Sequence, residues 1–316
     1  MKHVYRARGY FTVPDGTKVS PFLNATDAMQ MDVPWGALGE MSVASGIIDP
    51  GRSSWIHVHP AVAQITYVIS GILTVWMKGV NDSKPYSLKL TPGNAAISAP
   101  GELFQLANNT KRRAAVLYIV SPSYVFEMVG KKVIHDDSIL VARAWRELSA
   151  CKYDVPALKV SKYEAVARRA ESKRRLACRK GCPPAPLAAA KVRALRKKAN
   201  YLAPDKSEIR LLAEGQEGGL AHCVLPAGKV SIPVRHRTVE ELWYVVEGTG
   251  KVWRARGKQS RVDSVKAGDS ITIPVGVSFQ FKAGEAGALK ILIATIPRWP
   301  GPQEAVPSKG RWLPTG

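Results

Sequence analysis

Nowhere do the 316 residues run through the roughly 18 uninterrupted apolar side chains that a membrane helix needs. The opening segment, MKHVYRARGYF, is basic but has no apolar stretch behind it, so it does not read as a secretory signal. Cysteine is rare: Cys151, Cys178, Cys182 and Cys223 are unevenly spaced, which argues against a disulfide-stapled scaffold and for reduced thiols in a cytoplasmic protein. The CRKGC run from Cys178 to Cys182 has no second Cys or His pair at matching spacing, so it reads as a surface helix end rather than half a zinc site. Acidic residues are in deficit, 25 Asp and Glu against 46 Lys and Arg, for a net charge of +21. The excess is local. Residues 141–200 hold 17 Lys and Arg against 4 Asp and Glu, a net +13.

What is abundant is glycine (26) and proline (22), between short β-branched and aromatic runs. That texture predicts β-rich structure with many turns. The length suits about two domains of roughly 150 residues each. An internal repeat fixes where they lie. Gly51, His59, Gln64, Gly71 and Trp76 recur 177 residues later as Gly228, His236, Glu241, Gly248 and Trp253. Gly93, Gly101, Phe104 and Pro122 recur 175 residues later as Gly268, Gly276, Phe279 and Pro297. The offset changes once, by two residues, as a longer hairpin loop in the first copy would make it.

Each copy reads as six or more short strands broken by Gly and Pro, the pattern of a sandwich or jelly-roll barrel. Between them the alternation fades. Val160, Tyr163, Val166, Ala170 and Ala177 recur at helical spacing, GCPPAP (181–186) interrupts, and residues 187–199 read as a second helix. The expected organisation is a barrel over 1–137, a basic helical insert over 138–214 and a second barrel over 215–316.

The first copy reads Gly51, five residues, His57-Val-His59, four residues, Gln64, six residues, Gly71. The second places Val234-Arg-His236 and Glu241 at the same spacing. This spacing resembles the first motif of the cupin superfamily, in which two His and a Glu ligate a metal. Residues 93–108 and 268–283 resemble the second motif, which normally supplies a third His. The resemblance implies a mainly β bicupin: two double-stranded β-helix (jelly-roll) barrels, with a homodimer expected. His-x-His puts both imidazoles on one face of a strand, and such donors suit Fe, Mn, Ni, Cu or Zn. The sequence departs from the motif at the third His, where Phe104 and Phe279 stand. It also has Gln64 in place of Glu in the first copy and Val234 in place of the first His in the second.

The candidate metal ligands are therefore His57, His59 and Gln64, with His236 and Glu241 as a weaker second set. Trp55, Trp76, Phe104 and Tyr118 in the first copy, and Trp243 and Phe279 in the second, are candidate pocket-lining residues, though core packing accounts for most buried aromatics. Two readings stay open. One is a metal-dependent enzyme of oxygenase, isomerase or decarboxylase type acting on a small molecule in the first barrel. The other is a metal-free ligand-binding or structural bicupin. The basic insert could attract nucleic acid, but it lacks interleaved aromatics and any recognisable motif, so it reads as a solvated face.

Overall fold

A computed structural model describes residues 4–23, 41–60, 62–79, 82–129, 132–148, 194–214 and 218–315. Among these the chain divides into two compact units. One runs from Ala7 to Leu148; the other holds Val4–Arg6 and the residues from 194 onward.

The first unit contains β1 (Phe11–Thr12), β2 (Lys18–Leu23), β3 (Ser42–Ile48), β4 (Ile56–Val58), β5 (Ala63–Ser70), β6 (Leu73–Lys78), β7 (Tyr86–Leu90), β8 (Ala95–Ser98), β9 (Leu103–Ala107), β10 (Ala114–Ser121), β11 (Phe126–Val129), β12 (Lys132–Asp136) and β13 (Ile139–Ala142). A six-stranded sheet, β1-β2-β3-β10-β5-β8, and a five-stranded sheet, β13-β4-β9-β6-β7, are bridged by one apolar core. Ile48, Val68 and Val116 come from the first sheet, and Leu73, Val75, Met77 and Leu106 from the second. Alternation explains the selection: on β6, Leu73, Val75 and Met77 turn inward while Thr74 and Trp76 stay half-buried.

The second unit contains β14 (Tyr201–Leu202), β15 (Glu208–Glu214), β16 (Gly219–Leu225), β17 (Val234–His236), β18 (Glu240–Glu247), β19 (Thr249–Arg256), β20 (Gln259–Lys266), β21 (Ser270–Ile273), β22 (Ser278–Ala283), β23 (Leu289–Ile296) and β24 (Ala305–Pro307). Its sheets run β14-β15-β16-β23-β18-β21 and β20-β19-β22-β17-β24. Strand for strand this is the order of the first unit, so the duplication read from spacing is a duplication of topology. The change in offset falls in the β6–β7 hairpin, whose seven connecting residues correspond to a connection of two, Gly257 and Lys258, between β19 and β20. The β11–β12 hairpin has no counterpart among the described residues of the second unit.

The expected limits of the insert need correction. Ile139–Ala142 pairs with β4 and belongs to the first barrel, while Tyr201–Leu202 and Glu208–Glu214 belong to the second. These flanks repeat as well, at an offset of 190. Pro14-Asp15-Gly16-Thr17 matches Pro204-Asp205-Lys206-Ser207, and in both turns the Asp carboxylate accepts from the amide and hydroxyl of the residue two further on. Gly16 holds φ at 90° there and Lys206 at 73°, so only the first copy uses the residue that takes this conformation without strain. No described residue of the insert is in an α-helix; Trp145–Glu147 is a single 3-10 turn and residues 194–199 are irregular. The expected helical spacing from Val160 to Ala177 lies outside the described residues, as do Cys151, Cys178 and Cys182. Val4–Arg6, expected in the first barrel, joins the second: Tyr5 pairs with Ser270, and the Arg6 guanidinium forms an ion pair with Asp269.

Candidate functional site

The first barrel holds a partly open cavity of about 200 Å³. The five-stranded sheet contributes His57, with His59 just past the end of β4, and the six-stranded sheet contributes Gln64 and Tyr118. All four side chains are buried. Short backbone spacing puts the imidazoles together, with ring centroids 5.4 Å apart. His57 Nδ1 lies 2.8 Å from the Trp55 carbonyl. A carbonyl only accepts, so Nδ1 is the donor in this bond. His59 Nδ1 has no hydrogen-bond partner among the described residues. Burial, and then the neighbouring His57, hold the His59 pKa well below the usual imidazole value, so it is neutral. The Gln64 amide donates to Thr66 Oγ1 at 3.2 Å.

Phe104 is the direct cross-strand partner of His57. Its ring centroid lies 4.1 Å from that of His57 and 5.0 Å from that of His59. It is a buried member of the core cluster, not a cavity-lining side chain. Tyr118 does line the cavity, and its phenol oxygen is buried without a partner among the described residues. Gly46 makes room for it: a Cβ there would sit 2.3 Å from Tyr118 Cε2. Burial pushes the Tyr118 phenol well above its ordinary pKa.

Two expected lining residues point elsewhere. Trp55 is half-buried beneath the Arg143 guanidinium, 4.6 Å from its ring centroid. Trp76 lies on the opposite face of β6 from Val75 and Met77, beside Ser87 and Gln105. Gln105, next to Phe104 on β9 and facing the other way, donates to the carbonyls of Ser54 and Arg143.

Other residues complete the first cavity. Tyr124 precedes the β11–β12 hairpin, Asp136 ends its second strand, and Asp15 sits in the turn before β2. The Tyr124 hydroxyl donates to Asp136, and the Tyr124 ring stands 5.4 Å from His59. Burial raises the Asp136 pKa, against the hydrogen bonds from Tyr124 and Ser138. Tyr124 was findable in the sequence: it is 175 residues before Trp299, two positions beyond the matched prolines, and Trp299 stands 5.1 Å from His236 as Tyr124 stands beside His59. Asp136 had no such signal, because its hairpin is unique to one copy.

The second barrel has a smaller cavity, about 70 Å³, lined by His236, Glu241, Trp243 and Phe279. Trp243 occupies the position of Thr66 and fills much of the interior, edge-on to Phe279 and Phe281. Its indole donates to Glu241 Oε2 at 2.7 Å. His236 Nδ1 is 3.9 Å from Glu241 Oε1, too far for a hydrogen bond. Burial lifts the Glu241 carboxyl to about 8 and lowers His236 to about 4. Val234 packs in the core across from Phe279.

The cupin domain family matches residues 46–120 and again residues 221–295. The chain belongs to the cupin family and carries the domain twice. It is 31% identical over 102 residues to the uncharacterized protein MJ1618 of Methanocaldococcus jannaschii, covering 31% of this chain and 78% of that one. Its fold resembles that of a Bacillus subtilis oxalate decarboxylase mutant, with a TM-score of 0.62, 11% identity and coverage of 94% of this chain and 77% of that one. It also resembles the vicilin of Solanum melongena, with a TM-score of 0.61, 12% identity and coverage of 93% and 84%. The decarboxylase has Mn(II) centres, and the vicilin holds anionic ligands in structurally similar pockets.

The first barrel does not provide the family's full ligand set. Phe104 packs against both imidazoles where a third would stand, and Gln64 brings no charge. Asp136 is engaged by Tyr124. The described residues contain no group of three His, Cys, Asp or Glu side chains placed to hold an ion.

Proposed function

We propose that the first barrel binds a small organic molecule through hydrogen bonds and works without a bound ion, while the second barrel is structural. The observation that carries this reading is the pair of buried groups without a partner among the described residues, His59 Nδ1 and Tyr118 Oη, in a largely apolar cavity of about 200 Å³. A buried polar group without a partner costs about 1–3 kcal/mol, so a ligand that satisfies both gains affinity and orientation at once. The size supports a compact ligand. A cavity of about 150 Å³ accommodates benzene, which scales to roughly eight non-hydrogen atoms here. The Gly46 and Tyr118 combination supports it further, since the second copy has Cys223 and Ile293 at those positions.

Elemental analysis of protein purified without chelator tests the metal-free part. The expected result is no stoichiometric transition metal. One equivalent that disappears on replacing His57 and His59 with Ala would overturn it. That outcome would favour a second reading, a metal-dependent enzyme. Its supporting observation is the His57 Nδ1 hydrogen bond to Trp55, which orients the ring as metal-ligating imidazoles are oriented. Ligand-observed NMR with a library of small fragments tests the binding part: hits are expected to weaken in Tyr118→Phe. A library without a single hit, or hits indifferent to Tyr118, would sink the assignment of the site.

A further inference from the structure

The electrostatics of the first cavity narrow the ligand further. This inference rests on the binding role proposed above. The chain as a whole is strongly basic, at +21, yet no Lys or Arg is among the described residues that line this cavity. Two carboxylates are: Asp15 and Asp136. Asp15 is buried and accepts through Oδ1 from the amide and hydroxyl of Thr17, both at 2.8 Å. Asp136 accepts from the Tyr124 hydroxyl and the Ser138 amide. Neither forms an ion pair with a basic side chain among the described residues. The aromatic side chains Phe11, Tyr118, Tyr124 and Phe126 line the same cavity. Two further polar groups, His59 Nδ1 and Tyr118 Oη, are buried and have no hydrogen-bond partner among the described residues.

We infer that the ligand of the first barrel is a small organic amine, bound as its ammonium ion with an apolar body of about six or seven carbons. Three features select this class. A buried carboxylate without a cation favours a ligand that supplies one. Aromatic faces attract a cation and also cover an apolar body. A carboxylate or phosphate ligand would meet two acidic side chains and, among the described lining residues, no Lys or Arg, so anions are disfavoured.

Matched probe series on the full chain test the class: benzyl and cyclohexylmethyl bodies, each carrying an amine, an alcohol or a carboxylate, measured by calorimetry at pH 7. The amines should bind at least tenfold more tightly than the alcohols, and the carboxylates should not bind. A hydrogen-bonded charge is worth roughly a tenfold to hundredfold in affinity, so Asp15→Asn or Asp136→Asn should remove most of the amine preference while leaving alcohol binding in place. Asn keeps the carbonyl that each turn uses as acceptor, and circular dichroism with thermal melting verifies the fold. Alcohols or carboxylates that match or exceed the amines, or an amine preference unchanged in both Asn variants, would overturn the amine class and leave the binding role standing. Failure of all six probes to bind would overturn both.

Discussion

Glu241 is a carboxyl buried beside an imidazole that carries no charge, and that arrangement should make the second barrel lose stability as pH rises. Burial is the main cause of the raised pKa, with Asp205 and Glu304 adding to it and the Trp243 indole hydrogen bond opposing it. In the unfolded chain the carboxyl ionises near its ordinary 4.5; in the folded barrel it holds its proton to about 8. Below 4.5 both states are protonated and nothing is lost. Between 4.5 and 8 the unfolded state ionises and the folded state does not, so unfolding is increasingly favoured. Each pH step in that window costs about 1.4 kcal/mol, and the whole window amounts to about 5 kcal/mol at most. Glu241→Gln keeps the shape and the acceptor for the Trp243 indole but removes the titration, and it installs the residue that the first copy already has at Gln64. The stability gained by the variant should be near zero at pH 4.5 and grow towards that ceiling at pH 8. Urea unfolding followed by tryptophan fluorescence at five pH values measures it, taking the transition that Glu241→Gln shifts as that of the second barrel. His236 titrates in both proteins and drops out of the difference. A gain that is the same at every pH, or a loss at pH 8, would refute the reasoning.

Three further perturbations follow from comparing the copies. Arg254 is fully buried, with Nη2 2.8 Å from Asp263 and Nη1 donating to the Thr272 carbonyl; the first copy has Met77 and Leu88 at these positions. Asp263→Leu alone should cost about 3–5 kcal/mol by stranding a buried cation, whereas Arg254→Met with Asp263→Leu should be near neutral; a double variant as unstable as the single one would count against this. Gly46→Ala forces a Cβ into the Tyr118 ring and should lower stability by about 1–3 kcal/mol in chemical denaturation, with Tyr118→Leu restoring most of the loss; an unaffected midpoint would show that the ring moves freely. Thr66→Trp copies the residue that fills the second barrel and should abolish binding of the amine probes while the protein remains folded by circular dichroism, so unchanged calorimetric titrations would place the ligand elsewhere.

The paired barrels were legible in the sequence because constant spacing survives where identities do not. The positions that set turns and alternation, Gly51 with Gly228 or Phe104 with Phe279, recur at fixed offset whatever surrounds them. Alternation also placed Phe104 inward and Gln105 outward, as the strands have them. It misjudged Trp55 and Trp76, because an aromatic on a strand of a two-sheet barrel can cover the outer face as readily as the inner one, here against Arg143 and Gln105. The outer strands Lys18–Leu23 and Glu208–Glu214 were missed because the repeat changes offset to 190 across an insertion, although Pro-Asp-x-Thr and Pro-Asp-x-Ser mark both turns. Asp136 was not legible at all: a residue on an unrepeated hairpin has neither a partner copy nor a periodicity to announce it.

The two copies differ by compensated exchanges rather than by scattered substitutions, and the direction of those exchanges separates their roles. Where the second barrel puts an indole at Trp243, the first has Thr66, and the interior grows from about 70 to about 200 Å³. Where the second pairs Cys223 with Ile293, the first pairs Gly46 with Tyr118, giving up one side chain's volume to lodge a phenol oxygen at the cavity wall. Each exchange on the first side adds space or an unpartnered polar group, and each on the second side removes them. Arg254 and Asp263 are an exchange of another kind: the second copy gains charges where the first has Met77 and Leu88, and these are satisfied by each other, by Arg261 and by the Thr272 carbonyl. A barrel selected only for stability has no use for an unpartnered phenol at the edge of 200 Å³, because filling that space with apolar atoms is the cheaper structure. The first barrel keeps its cavity and the second closes its own, which is the division expected when one copy binds and the other supports.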